Sequence, residues 1–155
     1  MELVRNFAWA AMAGAFIPVM AVLNGRLGRS LGEPLYAAAI LFVVGLSLFG
    51  VLSFFFGRVP LQLSALRAVS PVEFAGGLIV GFYVISATIL APRIGVANFI
   101  MMAVCAQMVF SVVIDHFGLF GAAVRPANAM RLAGVAVLVA GVVITQLAGE
   151  KPVEP

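Results

Sequence analysis

The chain has 155 residues, 64% of them hydrophobic and 10% charged, with a mean hydropathy of +1.19. A soluble domain is about 45–50% apolar and about 25% charged, so a water-soluble fold of this size could not hide so much apolar surface. The net charge of +3 is the balance of nine Lys and Arg against six Asp and Glu; the nine are scattered singly between oily blocks, without the basic stripe or aromatic–basic interleaving of a nucleic-acid binder.

A helix needs about 20 apolar residues to cross a hydrocarbon core of about 30 Å. The first stretch that qualifies runs from about Phe7 to Leu23. Arg5 before it and Ala11-Met12-Ala13 within it have the look of a signal peptide, but the run stays oily to Leu23 and more spans follow, so a retained helix is expected. Gly14 and Pro18 lie inside it. Pro18 removes a backbone hydrogen bond and can serve as a hinge.

Asn24 to Pro34, with Arg26, Arg29, Glu33 and several glycines, reads as a connection. The second span covers about Leu35 to Phe56, and Gly57 to Pro71 reads as a loop. Ser70-Pro71 with Glu73 signals a helix start, because the acid favours the positive end of the helix dipole. The third span follows from about Phe74 to Leu90, then a very short turn at Ala91-Pro92-Arg93-Ile94-Gly95.

The fourth span runs from about Val96 to Ile114 and the fifth from about Leu132 to Leu147, separated by a loop from Asp115 to Arg131. The blocks are continuous rather than alternating, which argues against strands. The expected fold is an all-α membrane bundle of five spans forming one domain over residues 1–149, with a short polar tail over 150–155.

Orientation is read from Lys and Arg in short loops. With a cytoplasmic N-terminus, Arg5, Arg58, Arg67, Arg125 and Arg131 lie inside, and Arg26, Arg29, Arg93 and Lys151 lie outside, five against four. Such balance suits a chain that inserts both ways, or one in which position rather than number decides. Dual insertion would allow an antiparallel homodimer of ten spans, the arrangement that many secondary transporters reach by fusing inverted repeats. A paired homologue in place of the second copy is the other option.

Helices in lipid associate through small residues and polar contacts. Gly77 and Gly81 in the third span form a GxxxG pair, and Gly134 and Gly141 in the fifth share a face. The partner of either face, within the chain or across a dimer, is left open. Cys105 can make no internal disulfide, has no CxxC partner and reads as a small packing residue.

In the fourth span Gln107, Ser111 and Asp115 recur every four residues and share one face. Gln107 lies deep in the span, where a bare amide is costly, so it serves either as interhelical glue or as a substrate contact. Ser111 is expected to bond back to its own helix. Asp115 with His116 sits at the membrane edge. A Ser111-Asp115-His116 catalytic grouping fails on geometry, since His116 points about 100° from Asp115. HExxH, Walker and GxGxxG patterns are absent. No acid stands at the middle of a span, which argues against a simple carboxylate proton-exchange site. No enzyme chemistry, metal or cofactor is implied.

Several stretches together resemble the YdcZ family of small inner-membrane proteins in the drug/metabolite transporter superfamily. They are Pro18-Val19 through Asn24-Gly25-Arg26-Leu27-Gly28, Gly76-Gly77-Leu78-Ile79-Val80-Gly81-Phe82-Tyr83-Val84, and Pro92-Arg93-Ile94-Gly95. After these come Ala106-Gln107 through Ile114-Asp115-His116-Phe117-Gly118, and Arg131-Leu132-Ala133-Gly134. The resemblance implies a five-span helical protein of the bacterial inner membrane that works as a dimer and acts as an exporter or metabolite carrier. The chain departs from the family at Met20, often Gln, and at Ala106, often Gly.

The expected function is therefore a secondary exporter of small organic molecules with a cavity between the first, third and fourth helices. Asn24, Gln107 and Ser111 are its expected polar contacts and Tyr83 its gate. Met20, Phe82, Phe99, Met101 and Met102 favour an amphipathic or apolar-bodied substrate. The alternative is a non-transporting scaffold or accessory subunit of a larger membrane complex.

Overall fold

The computed structural model describes residues 2–57 and 69–148. It is all helical over these residues, with five helices long and apolar enough to span a membrane. They are α1 (Glu2–Leu31), α2 (Pro34–Phe56), α3 (Ala75–Ile94), α4 (Val96–Phe117) and α5 (Ala129–Ala148). A single 3-10 turn, Pro71–Phe74, leads into α3, and another, Leu119–Gly121, follows α4. The predicted polar tail and most of the predicted loop between the second and third spans, residues 58–68, lie outside the described residues.

Large apolar side chains are exposed along every helix: Leu46 is 74%, Phe82 76% and Leu147 82% accessible. In water such surface would be prohibitive; in lipid it is the expected solvent-facing side. By their contacts the residues group into two units, 1–96 and 97–155.

In the first unit α1, α2 and α3 pack on one another. The interior is built almost wholly from small residues: Ala21, Gly25, Gly28, Ala37, Ala38, Ala87 and Ala91 are buried. Because lipid offers helices little hydrophobic reward for associating, close backbone approach supplies the attraction. A Cβ at Gly28 would lie 3.3 Å from the Pro34 Cα and 3.4 Å from the Thr88 Cγ2, and one at Gly25 would lie 3.1 Å from the Pro92 Cγ. By contrast, a Cβ at Gly77 or Gly81 would meet no other atom within this unit. The expected GxxxG face of the third span is thus not what holds the unit together.

Two predicted connections are corrected. The stretch expected to leave the first span at Asn24 instead continues α1 by two further turns to Leu31. Gly25 and Gly28 are poor helix formers, but tight packing against Pro92, Pro34 and Thr88 offsets that loss, and only Gly32 and Glu33 remain as connector. Gly32 has φ of 74°, where glycine is favoured. The Glu33 carboxylate accepts from the Leu35 amide at 3.3 Å, and Pro34 opens α2 in the first-turn position that tolerates proline. Likewise Ala91 to Ile94 belong to α3, and Gly95 alone, at φ 89°, breaks the helix. The start of α3 is as expected, with the Glu73 amide donating to the Ser70 carbonyl at 3.0 Å.

In the second unit α4 extends to Phe117, one turn past its expected end, and stops at Gly118, which is left-handed at φ 62°. A Cβ there would come within 2.7 Å of the Val124 Cγ2. The last helix starts at Ala129, a turn earlier than expected, because the Asn128 Oδ1 accepts from the Arg131 amide at 2.8 Å and caps it.

Candidate functional site

In the first unit one polar bond crosses the small-residue interior. Asn24 on α1 is 5% exposed and Thr88 on α3 is 3% exposed. The Asn24 Nδ2 donates to the Thr88 Oγ1, which in turn donates to the Val84 carbonyl of its own helix at 2.8 Å. Asn24 was expected at the end of a span facing substrate; it lies inside α1, committed at its amide nitrogen to a neighbouring helix. Thr88 was not singled out from sequence, although Val84 and Thr88, like Ala87 and Ala91, stand four apart on one face of α3.

Two clefts adjoin this pair. The first, of about 360 Å³, is lined by Met20, Leu23, Asn24, Leu27 and Leu41. Its wall is apolar except for Asn24. The second, of about 340 Å³, is lined on α1 by Gly25, Gly28 and Arg29, and on α3 by Thr88, Ile89, Pro92 and Arg93. Gly32 and Pro34 close it at the start of α2. The bonded pair stands between the clefts, Asn24 lining one and Thr88 the other. Tyr83 is half-buried on α3, and Pro18 lies within the continuous helix α1.

The remaining predicted contacts belong to the second unit. Ser111 donates to the Gln107 carbonyl at 2.7 Å, the expected bond back to its own helix. Gln107 is exposed midway along α4. Asp115 and His116 are held at the foot of the helix by separate partners. Arg131 donates to the Asp115 carboxylate at 2.5 Å, the Asp115 carbonyl accepts from the Arg125 amide at 2.8 Å, and the His116 Nδ1 accepts from the Ala127 amide at 3.0 Å. Ser111, Asp115 and His116 thus bond in three different directions, which a charge-relay arrangement could not do. At the other end of the unit Gln146 donates to the Asn98 Oδ1 at 3.3 Å and Thr145 lies 3.4 Å from the Met101 Sδ. This polar tie between α4 and α5 was not foreseen, since its members sit far apart in sequence.

Among the described residues no group of three or more His, Cys, Asp or Glu could hold a metal ion. The arrangement offers short polar ties, two open clefts and apolar outer faces. No curated protein and no solved structure matches the chain. A family model described as "Putative inner membrane exporter, YdcZ" matches residues 6–144.

Proposed function

Since the chain belongs to this family of multi-pass inner-membrane exporters, we propose that it is a secondary exporter of small organic molecules acting as an antiparallel dimer. The family match across nearly the whole chain carries the reading. Three further observations support the finer parts. The Lys and Arg balance of five to four between the two sides leaves insertion weakly biased. Gln107 is an amide midway along an exposed apolar helix, where hydrocarbon is costly and a second chain or a watered path is not. The Gly134 and Gly141 face of α5, where an added Cβ would meet nothing within its unit, suits the close approach of another helix.

In this reading Asn24, Tyr83, Gln107 and Ser111 provide polar contacts to solute or water, Pro18 allows α1 to flex, and the Met20 cleft takes an apolar body. The partner is a second copy or a paired homologue.

The test is aqueous thiol labelling of Gln107→Cys in a Cys105→Ser background, in native membranes. An exporter's polar path predicts labelling that a transported amphipathic compound slows. Complete protection, together with unchanged compound tolerance in cells that express the chain, would instead support the scaffold reading. If Asn24→Ala and Gln107→Ala both left transport rate and affinity unchanged, the assigned contacts would be wrong even in an exporter.

A further inference from the structure

The cleft closed by Pro34 has an unusual charge pattern for its size. Two guanidinium side chains, Arg29 from the last turn of α1 and Arg93 from the last turn of α3, line the same space of about 340 Å³. No carboxylate lines it with them. Among the described residues the ion pairs are Arg5 with Glu2 and Arg131 with Asp115, so neither cleft arginine is paired with an acid of those residues. Glu33, the acid nearest to Arg29 in sequence, does not line the cleft and accepts from the Leu35 amide as the cap of α2.

A cation in the last turn of a helix is favoured by the helix dipole, and a long side chain at a membrane edge can reach water. Those effects explain each arginine singly. Both side chains are exposed, so solvent screens part of their mutual repulsion, and an anion seated between them would relieve what remains.

The rest of the wall is built for close approach. Gly25, Gly28 and Gly32 contribute no side chains, and Pro34 and Pro92 contribute no amide hydrogen. The Thr88 hydroxyl hydrogen is already given to the Val84 carbonyl. The donors left to a ligand are therefore the two guanidinium forks. A carboxylate is satisfied by one fork, whereas the several oxygens of a phosphate can accept from two forks approaching from different helices.

We propose that this cleft is a binding site for a phosphate group, with Arg29 and Arg93 as its two cationic clamps and Ile89 and Pro92 as an apolar shoulder for whatever the phosphate is attached to. The group comes either from a soluble phosphorylated solute or from the headgroup of an anionic lipid, two sources of one chemistry. The first source would give the proposed exporter its substrate class and so rests on that reading. The second stands without it.

The experiment uses the purified full chain in a neutral detergent. Binding of radiolabelled inorganic phosphate is measured by equilibrium dialysis. Retention of added phosphatidylglycerol, with phosphatidylcholine as comparison, is measured by native mass spectrometry. Arg29→Gln and Arg93→Gln are compared with the natural chain and with Arg26→Gln, whose arginine lies on the same helix end outside the cleft. Helix content by circular dichroism and elution volume establish that each variant folds, and Arg29→Lys and Arg93→Lys supply charge-retaining versions should the Gln variants fail.

The expected result is that the natural chain binds one of the two probes. Each cleft substitution should weaken that binding about ten-fold or more, as loss of a charged hydrogen bond does, and Arg26→Gln should not. Phosphate binding identifies a solute site, and selective phosphatidylglycerol retention a lipid site. Binding of neither probe, or equal loss in Arg26→Gln, overturns the proposal. Because no transport is measured, a failed transport assay with intact binding counts against the exporter reading alone, and the converse counts against this site alone.

Discussion

Asn24 and Thr88 show how little polarity an interhelical tie in lipid requires. Thr88 keeps its bond to Val84 whether or not Asn24 is present, so removing Asn24 forfeits one bond and strands no hydroxyl. Interhelical bonds of this kind are worth about 0.6 kcal/mol on average and up to about 2. In detergent–SDS unfolding, a double-mutant cycle of Asn24→Leu and Thr88→Val should give a coupling within that range. A coupling near zero would mean that the pair adds no stability of its own.

Asn128 is a second residue with a definite duty. Its side chain caps α5 at the Arg131 amide, and Asn128→Ala should cost about 1 kcal/mol in the same assay. The capping sign was present in the sequence as an Asn a few residues ahead of an apolar run. It was obscured because Arg131, one turn into the helix, reads as loop when hydropathy alone sets the boundary. Asn24 was misplaced for the same reason: the oily run ends at Leu23, but backbone hydrogen bonding does not.

At the scale of helices, the glycines fall into two sets that sequence spacing cannot separate. Gly25 and Gly28 are pressed by Pro92, Pro34 and Thr88, whereas Gly77 and Gly81 meet nothing within their unit. Gly28→Val should therefore destabilise the purified chain by roughly 1–3 kcal/mol through overpacking, and Gly77→Ala should not destabilise it. If Gly77→Ala instead lowers the dimer fraction seen by crosslinking in membranes, that face meets a second chain. The GxxxG pattern marked a surface able to accept a helix. Which small residues do so within the chain depended on Ala21, Ala37, Ala38, Ala87 and Ala91, whose spacing is common to any alanine-rich span.

For the whole molecule, the near-equal division of Lys and Arg is the property most open to test. Replacing Arg26 and Lys151 by Ala changes the balance from five against four to five against two, and the positive-inside preference then favours a cytoplasmic N-terminus. Reporters fused at each terminus should show both orientations in the natural chain and one in the double variant. A single orientation in both would remove the basis for the antiparallel dimer.

The number of spans and their order along the chain were legible because lipid imposes one requirement on every segment. About 20 apolar residues with internally satisfied backbone produce a helix whatever its neighbours do. The membrane location and the absence of strands among the described residues follow from the same requirement, and short motifs spread over the chain pointed to the right family. Tertiary structure decided where the helices end, which small residues touch, that Asn24 is bonded to Thr88, and that Arg29 and Arg93 line one cleft. The last two depend on the pairing of residues more than 60 positions apart, and hydropathy, a sum over neighbours in sequence, carries no record of it.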